Sequence, residues 1–282
     1  MQIRTRYGIQ FQIPSILYNY KIIEEIRKDD YTALLKVQDM NTQEYYRAKI
    51  YSKVCMQRCG IVKMIHNEIR ILRSINHPNI SHLHEYFNIK NDYGEKLTVL
   101  IEDYYANGTL KEYISGRGFI DENEKKRIEY GILQAIDYLH QNQIAHLNIR
   151  PENIYLDNEY HPKLSNFGAA MDFRRKMCYD YSYYTFCVCD KELMNYTAPF
   201  NYIFDYYIIS KYKEDIWSFG ILLFHITEHS LPFNTSDDLK KLSSETLRKS
   251  KKDVMKIVRQ CLKIDLTQRP GSQQLLGDQY FQ

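Results

Sequence analysis

The sequence predicts an α+β fold with a small β-rich N-terminal part and a larger α-helical C-terminal part. Short segments of strand-type residues, separated by polar turns, fill the first hundred residues. After Gly108 the apolar residues recur at helical spacing instead. No internal repeat or long Gly/Ser/Pro linker interrupts the chain, so we expect one cooperative unit rather than independent domains.

In the N-terminal part, four strands are predicted at residues 20–26, 31–37, 45–51 and 97–103. One helix is predicted at about 62–74, where Ile65, Ile69 and Leu72 form an apolar stripe. Residues 1–19 precede the first strand. They carry apolar residues suited to packing on this part, namely Ile9, Phe11, Ile13, Ile16 and Leu17.

The C-terminal part begins with a helix opened by Asp121 and Glu124. Its apolar face consists of Ile128, Ile132, Leu133, Ile136 and Leu139. Residues 217–226 are apolar nearly all round, which predicts a helix buried in the centre of this part. Further helices are expected at 236–244 and 251–262.

Charge and hydropathy exclude several functions. Lys and Arg number 38 and Asp and Glu 35, so the net charge is only +3, and no basic arm indicates nucleic acid binding. The apolar stretches are shorter than the roughly 20 residues that a membrane span requires. Arg4 and Arg6 interrupt the N-terminus, which therefore lacks the apolar core of a signal peptide. We expect a cytoplasmic protein.

Two close cysteine pairs, Cys55/Cys59 and Cys187/Cys189, leave two interpretations open. Four thiolates would bind zinc if the fold brought the pairs together. However, the spacings match common zinc sites poorly, so reduced and partly buried thiols are the favoured interpretation.

The most informative motif is the run His146-Leu-Asn-Ile-Arg-Pro-Glu-Asn153, followed by Lys163-Leu-Ser-Asn-Phe-Gly168. In order and spacing these runs resemble the catalytic loop and metal-binding turn of protein kinases. Other segments fall where that family has its motifs: Lys49, Glu68, His77-Pro-Asn79, Ala198-Pro199, residues 215–220 and Arg269-Pro270. The resemblance implies a two-lobed kinase-like domain over 20–282, with lobes at about 20–103 and 104–282 and residues 1–19 as an extension. It also implies a nucleotide cleft between the lobes.

Two positions depart from the chemistry of the family. Asn148 stands where kinases have the Asp that accepts or orients the proton of the substrate hydroxyl. Asn166 replaces the Asp that holds magnesium, and Asn153, the other metal ligand, is retained. We therefore expect negligible phosphotransfer and only a weak magnesium site at Asn153.

The predicted nucleotide pocket is also altered. The turn at 26–34 contains no glycine, so its backbone is poorly suited to approach phosphate. Arg47 lies on the same strand face as Lys49, where the family has a small residue above adenine. Arg47 either plugs the pocket or swings out to solvent, in which case Leu34 and Tyr155 could still sandwich a purine. The sequence does not decide whether Ile101 or Glu102 guards the back of this pocket.

Structural features of the family are kept. Lys49 and Glu68 can pair with or without ATP, and an apolar spine is predicted from Leu72, Leu83, His146 and Phe167. The phosphate-binding Arg of the catalytic loop is replaced by Leu147. Phe200 replaces the Glu that Arg269 would pair with, so we expect that segment to be anchored differently.

The function that follows is a pseudokinase, a kinase-like domain that regulates signalling by binding a protein. Its partner would be an active kinase or another signalling protein, and no cofactor would be required. Two alternatives stay open. One is a weak Ser/Thr protein kinase that uses ATP, and the other is a switch that binds ATP without phosphotransfer. A response to ATP that does not need magnesium would favour the switch.

Overall fold

The computed structural model describes residues 2–4, 10–28, 32–53, 62–116, 121–174, 196–198, 207–232 and 253–282. The chain divides into two compact units. Unit 1 comprises Met1–Asn76 and Ser81–Tyr105, and unit 2 comprises His77–Ile80 and Ala106–Gln282.

Unit 1 is built on a six-stranded antiparallel sheet in the order β3-β4-β5-β6-β8-β7. A separate pair, β1 with β2, precedes it. The strands are β1 Gln2–Arg4, β2 Gln10–Gln12, β3 Ile16–Leu17, β4 Tyr20–Lys28, β5 Thr32–Asp39, β6 Tyr45–Ser52, β7 Leu83–Lys90 and β8 Lys96–Asp103, and the helix is α1 Val62–Leu72.

The four predicted strands and the predicted helix are all present, with ends shifted by about two residues. Strand β7 was missed. Its only buried residue is Leu83, and His84, Glu85, Tyr86 and Asn88 are exposed, so the apolar alternation that marks a strand is weak.

One face of the sheet, here called the outer face, carries an apolar core. Its fully buried members are Ala33, Leu35, Val37, Ala48, Ile50, Leu97, Val99 and Ile101. Ile13 and Leu17 belong to the same cluster, so residues before the first predicted strand do pack on this unit. Ile16 instead is 50% exposed.

Unit 2 is mostly helical in its described residues. Its helices are α2 Leu110–Gly116, α3 Glu122–Gln141, α4 Tyr207–Glu228, α5 Val254–Cys261 and α6 Ser272–Leu276. Two small antiparallel pairs accompany them, β9 Ile144–Ala145 with β12 Met171–Asp172, and β10 Ile154–Leu156 with β11 Pro162–Leu164.

Helix α3 begins as predicted, because the Asp121 carboxylate caps it by accepting hydrogen bonds from the backbone N–H groups of Asn123 and Glu124 at 3.0 and 3.1 Å. The apolar segment at 217–226 lies in α4, and Trp217 and Phe219 are fully buried there. The helix expected at 251–262 is observed as α5, and the one expected at 236–244 lies outside the described residues. Among the residues described, no helix is both long and apolar enough to span a membrane.

Candidate functional site

In unit 1, Lys49 and Glu68 form a buried ion pair. Lys49 Nζ lies 2.8 and 3.1 Å from the two carboxylate oxygens of Glu68, and the two residues are 8% and 0% exposed. Tyr51, two residues along β6 on the same face, also donates a hydrogen bond to Glu68. Lys49 Nζ lies 5.1 Å from the centre of the Tyr51 ring. The carboxylate is thus satisfied by groups of the chain itself.

Arg47 is the second cation on this face. It is 2% exposed and donates a hydrogen bond to the carboxylate of Glu102, which is 1% exposed. It also donates to Ser81 Oγ at 3.3 Å. Arg47 therefore does not swing out to solvent. The pairing was missed in the sequence, although it follows from register, since Arg47 and Glu102 are directly opposed on β6 and β8.

The same register places Ile101 and Glu102 on opposite faces of β8. Glu102 shares a face with Arg47, whereas Ile101 belongs to the apolar cluster on the outer face. Hence Glu102, and not Ile101, lies on the strand face that carries Arg47 and Lys49. An ionisable residue stands there, and its charge is matched by Arg47.

Hydrogen bonds continue from Arg47 to the surface. Ser81 is hydrogen bonded to Tyr105, whose hydroxyl donates to Asp103 Oδ2 at 2.9 Å. Asp103 Oδ1 lies 2.5 Å from His84 Nε2, and this hydrogen bond raises the pKa of His84. Burial raises the pKa of the Tyr105 hydroxyl, which therefore stays protonated as a donor. The end of β8 is thereby fixed to β7.

The remaining predicted pocket and spine residues are divided between the units. Leu34 is buried on β5 opposite Lys49, and Leu72 and Leu83 are buried in α1 and β7. In unit 2, Tyr155 is buried on β10. There, the fully buried His146 and Phe167 pack edge to face, with ring centroids 4.8 Å apart.

The loop from His146 to Asn153 is held by a buried carboxylate of α4. Asp215 is fully buried, and its carboxylate accepts hydrogen bonds from the backbone N–H groups of His146 and Leu147 at 2.8 and 2.7 Å. Its Oδ2 also lies 2.9 Å from His140 Nε2. Leu147 has a positive φ of 60°, which is costly for a side chain of its type, so these bonds hold the loop in a strained conformation.

Hydrogen bonds connect three asparagines here, two through their side chains and Asn148 through its backbone oxygen. Asn153 Nδ2 donates to the backbone oxygen of Asn148 at 2.8 Å. Asn166 Nδ2 donates to Asn153 Oδ1 at 3.0 Å. Asn166 adopts φ 69°, a left-handed conformation that asparagine and aspartate tolerate well. The amide oxygen that the sequence offered as a metal ligand thus already accepts a hydrogen bond.

Arg269 is satisfied without the glutamate that kinases supply. The guanidinium is buried, and it donates hydrogen bonds to the backbone oxygens of Lys263 at 3.1 and 2.7 Å and of Lys213 at 2.6 Å. It lies 5.0 Å from the ring centre of Trp217. Burial lowers its pKa to about 10. The position of Phe200 lies outside the described residues.

The cysteine pairs Cys55/Cys59 and Cys187/Cys189 also lie outside the described residues. Within the described ranges, no group of three or more His, Cys, Asp or Glu side chains is placed to hold a metal ion. Cys261 is buried in α5, and burial raises the pKa of its thiol to about 12. A thiol with so high a pKa is a poor nucleophile.

The fold, the Lys49–Glu68 pair and the loop fixed by Asp215 define a kinase-type domain, and comparison with known sequences agrees. The protein kinase domain family matches residues 20–281, and the chain belongs to that family.

Curated relatives are also kinases. The chain is 28% identical to the serine/threonine-protein kinase cds1 of Schizosaccharomyces pombe, over 79% of this chain and 47% of that protein. It is 28% identical to calcium-dependent protein kinase 4 of Plasmodium falciparum, over 83% of this chain and 42% of that protein. It is 27% identical to NUAK family SNF1-like kinase 2 of Pongo abelii, over 90% and 39%. The chain thus spans less than half the length of each of these relatives.

Proposed function

We propose that this chain is a catalytically impaired kinase-like domain that acts by binding another signalling protein. The observation that carries the proposal is the hydrogen bond from Asn166 Nδ2 to Asn153 Oδ1 at 3.0 Å. Two positions that need negative charge for phosphotransfer are neutral amides. The one retained ligand oxygen is already used by a neighbouring amide.

The base position lacks a proton acceptor. Asn148 is neutral, and an amide oxygen is too weakly basic to take the proton of a hydroxyl group. Loss of a positioned general base typically costs 10²- to 10⁴-fold in rate. The loop that carries Asn148 is nevertheless held in place by Asp215, so the position is kept while its chemistry is lost.

Magnesium fits the three asparagines poorly. This hard cation favours carboxylates, and it dehydrates reluctantly. In this chain a cation at Asn153 Oδ1 would compete with the N–H donor of Asn166 for the electron density of one neutral oxygen and would gain no negative charge from Asn148 or Asn166. The Asn166–Asn153 pair is therefore hydrogen bonded without a metal ion, whereas the buried Asn148 Oδ1 has no hydrogen-bond partner among the described residues.

Adenine fits unit 1 equally poorly. The strand face that would lie above the purine carries the buried guanidinium of Arg47, held by Glu102 and Ser81. Binding a purine against this pair would require moving a charged group that is 2% exposed. Displacing either member would leave the other buried and uncompensated, which is strongly unfavourable.

A weak protein kinase is the competing function. The intact Lys49–Glu68 pair and the kinase relatives favour it. It would need a base or a metal ligand from elsewhere in the chain. The two functions differ in whether ATP and magnesium bind to the parent chain.

A thermal-shift titration with ATP tests the proposal. The parent is compared with Arg47→Ala/Glu102→Leu, which removes both charges, each with magnesium and with chelator. We expect no ATP-dependent shift in the parent. We expect a shift that grows with ATP concentration in the double variant, because a ligand that binds the native state stabilises it by mass action.

A phosphotransfer assay supplies the contrary outcome. The parent and Lys49→Met are incubated with labelled ATP, magnesium and a generic protein substrate. Label transfer by the parent that disappears in Lys49→Met, together with a magnesium-dependent thermal shift, would overturn the proposal and establish the weak kinase.

A further inference from the structure

Residues 10–19, here called the N-terminal strap, lie before the region that matches the kinase family. Two strap residues, Ile13 and Leu17, are fully buried against the outer face of the sheet. The face contributes side chains from β5, β6 and β8, and the strap covers them with two anchors four residues apart. Because burying a large aliphatic side chain is strongly favourable, this face is complementary to the strap.

The strap reaches both edges of the sheet. At one edge, β3 pairs with β4, with Leu17 opposite Tyr20. At the other edge, Asn91 Nδ2 donates to the backbone oxygen of Gln12 at 3.1 Å. The ring of Tyr18 packs edge to face on Phe87 of β7, with centroids 4.7 Å apart. The strap therefore pairs with β4 at one edge of the sheet and is fixed by side-chain contacts beside the other.

A strained turn joins the strap to β4. It consists of Tyr18 and Asn19, and Tyr18 adopts φ 55°, a left-handed conformation that is unfavourable for a residue with its side chain. Tyr18 is 62% exposed, and the contacts of its side chain are the ring of Phe87 and a hydrogen bond from its hydroxyl to the backbone oxygen of Asn88 at 3.4 Å. If this turn opened, β3 and β4 would run on as one extended strand, and the strain would be relieved.

We propose that the strap exchanges between two copies of the chain, so that the strap of each copy covers the outer face of the other. The structure demonstrates complementarity between this face and one segment, which is the strap itself. In the exchanged dimer the same contacts form between copies, and strained short hinges favour such exchange. The second copy is therefore the occupant that the observations support.

Sedimentation velocity of the parent over a range of concentrations is the first test. The dimer fraction should rise with concentration. Tyr18→Gly removes the turn strain that exchange relieves, and should raise the dimer dissociation constant about tenfold. Tyr18→Phe keeps both the ring and the strained conformation and should leave that constant unchanged. A parent that is monomeric at every concentration would overturn the proposal.

A cross-link then tests whether a dimer is held by exchange. Ile16 and Lys21 are directly opposed on β3 and β4, at a spacing that suits a disulfide. In Ile16→Cys/Lys21→Cys, exchange should give covalent dimers on a non-reducing gel after mild oxidation. The parent, with its own six cysteines, is the control. Disulfides formed only within one chain in the dimer fraction would also overturn the proposal.

Discussion

The strand face of unit 1 and the loop of unit 2 differ from other kinase domains in opposite ways, one by gaining charged residues and the other by losing them. Unit 1 has gained charge, because Arg47 and Glu102 stand as a buried ion pair on a face that in kinases meets a purine. Unit 2 has lost charge, because Asn148 and Asn166 replace two carboxylates. Arg47 with Glu102 and Asn166 with Asn153 are hydrogen bonded within the chain, whereas the buried Asn148 Oδ1 has no hydrogen-bond partner among the described residues.

Under the function proposed above, the two units dispense with a ligand in two different ways. A buried ion pair supplies its own counter-charge, and an amide pair supplies its own donor and acceptor. In an active kinase, an aspartate and an asparagine hold magnesium at the position of Asn166 and Asn153. If this view is correct, each unit should be stable as it stands, and removing one member of a pair should cost more than removing both.

The largest effect is expected from Glu102→Ala. It leaves the Arg47 guanidinium buried without its carboxylate, and breaking such a pair typically lowers the free energy of unfolding by about 3–5 kcal/mol. The double variant Arg47→Met/Glu102→Leu should be close to the parent or more stable, because neither charge remains. Urea denaturation followed by circular dichroism measures both.

The exposed pair of Glu25 and Lys28 on β4 provides the control. Its side chains are 28% and 47% exposed, and the atoms are 3.4 Å apart. Surface pairs contribute about 0–1 kcal/mol, so Glu25→Ala should have little effect. If Glu102→Ala lowers the free energy of unfolding no more than Glu25→Ala does, the buried Arg47–Glu102 pair does not stabilise unit 1 as we infer.

Unit 2 also contains a buried carboxylate, that of Glu129, which has no salt-bridge partner among the described residues. It therefore contrasts with the paired Glu102 of unit 1. Glu129 on α3 is fully buried, and its Oε2 accepts a hydrogen bond from the Tyr280 hydroxyl at 2.7 Å. The nearby cations are Lys125 and Lys126, and Lys125 pairs with Glu122. Burial raises the pKa of Glu129 to about 7 from 4.5.

This shift predicts the sign of a pH dependence. Glu129 binds its proton more tightly in the folded state than in the unfolded state. The resulting stabilisation of the folded state is therefore full below pH 4.5 and is lost as the pH rises towards 7. The loss amounts to about 3 kcal/mol. Glu129→Gln cannot ionise, so the difference in unfolding free energy between variant and parent should grow over this range. A difference independent of pH would contradict the assignment.

Much of the fold and of the candidate site could be predicted from the sequence, and particular residues show why. The runs at 146–153 and 163–168 place Asn148, Asn153 and Asn166 together because they belong to one local arrangement of loop and short strands. The strands 20–26, 45–51 and 97–103 were found because each is a short segment of strand-type residues bounded by polar turns. Lys49 and Glu68 were matched by motif, and Tyr51 could have been added from its position two residues further along the strand.

What could not be predicted depends on register between distant strands. The pairing of Arg47 with Glu102 requires knowing that β6 lies beside β8 with these residues opposed, and 55 positions separate them. The choice between Ile101 and Glu102 has the same origin, since a shift of one residue exchanges the two faces of a strand. Strand β7 and the covering of the outer face by Ile13 and Leu17 were likewise not located, because their contacts are tertiary.

The smallest effect is expected from Asn166→Asp, which tests the loop of unit 2 directly. Aspartate tolerates the left-handed conformation at φ 69° as asparagine does, so the backbone should be unchanged. The carboxylate cannot donate to Asn153 Oδ1, and loss of that hydrogen bond should cost about 1 kcal/mol in chelator. Thermal unfolding measures this loss.

Magnesium should then restore stability to Asn166→Asp and not to the parent, because the two facing oxygens gain a cation between them. In Asn166→Asp/Asn153→Ala the second oxygen is absent, and the restoration should shrink. If magnesium stabilises the parent as much as the variant, the amide pair does not exclude the cation. The view that unit 2 needs no cation at Asn153 and Asn166 would then be wrong.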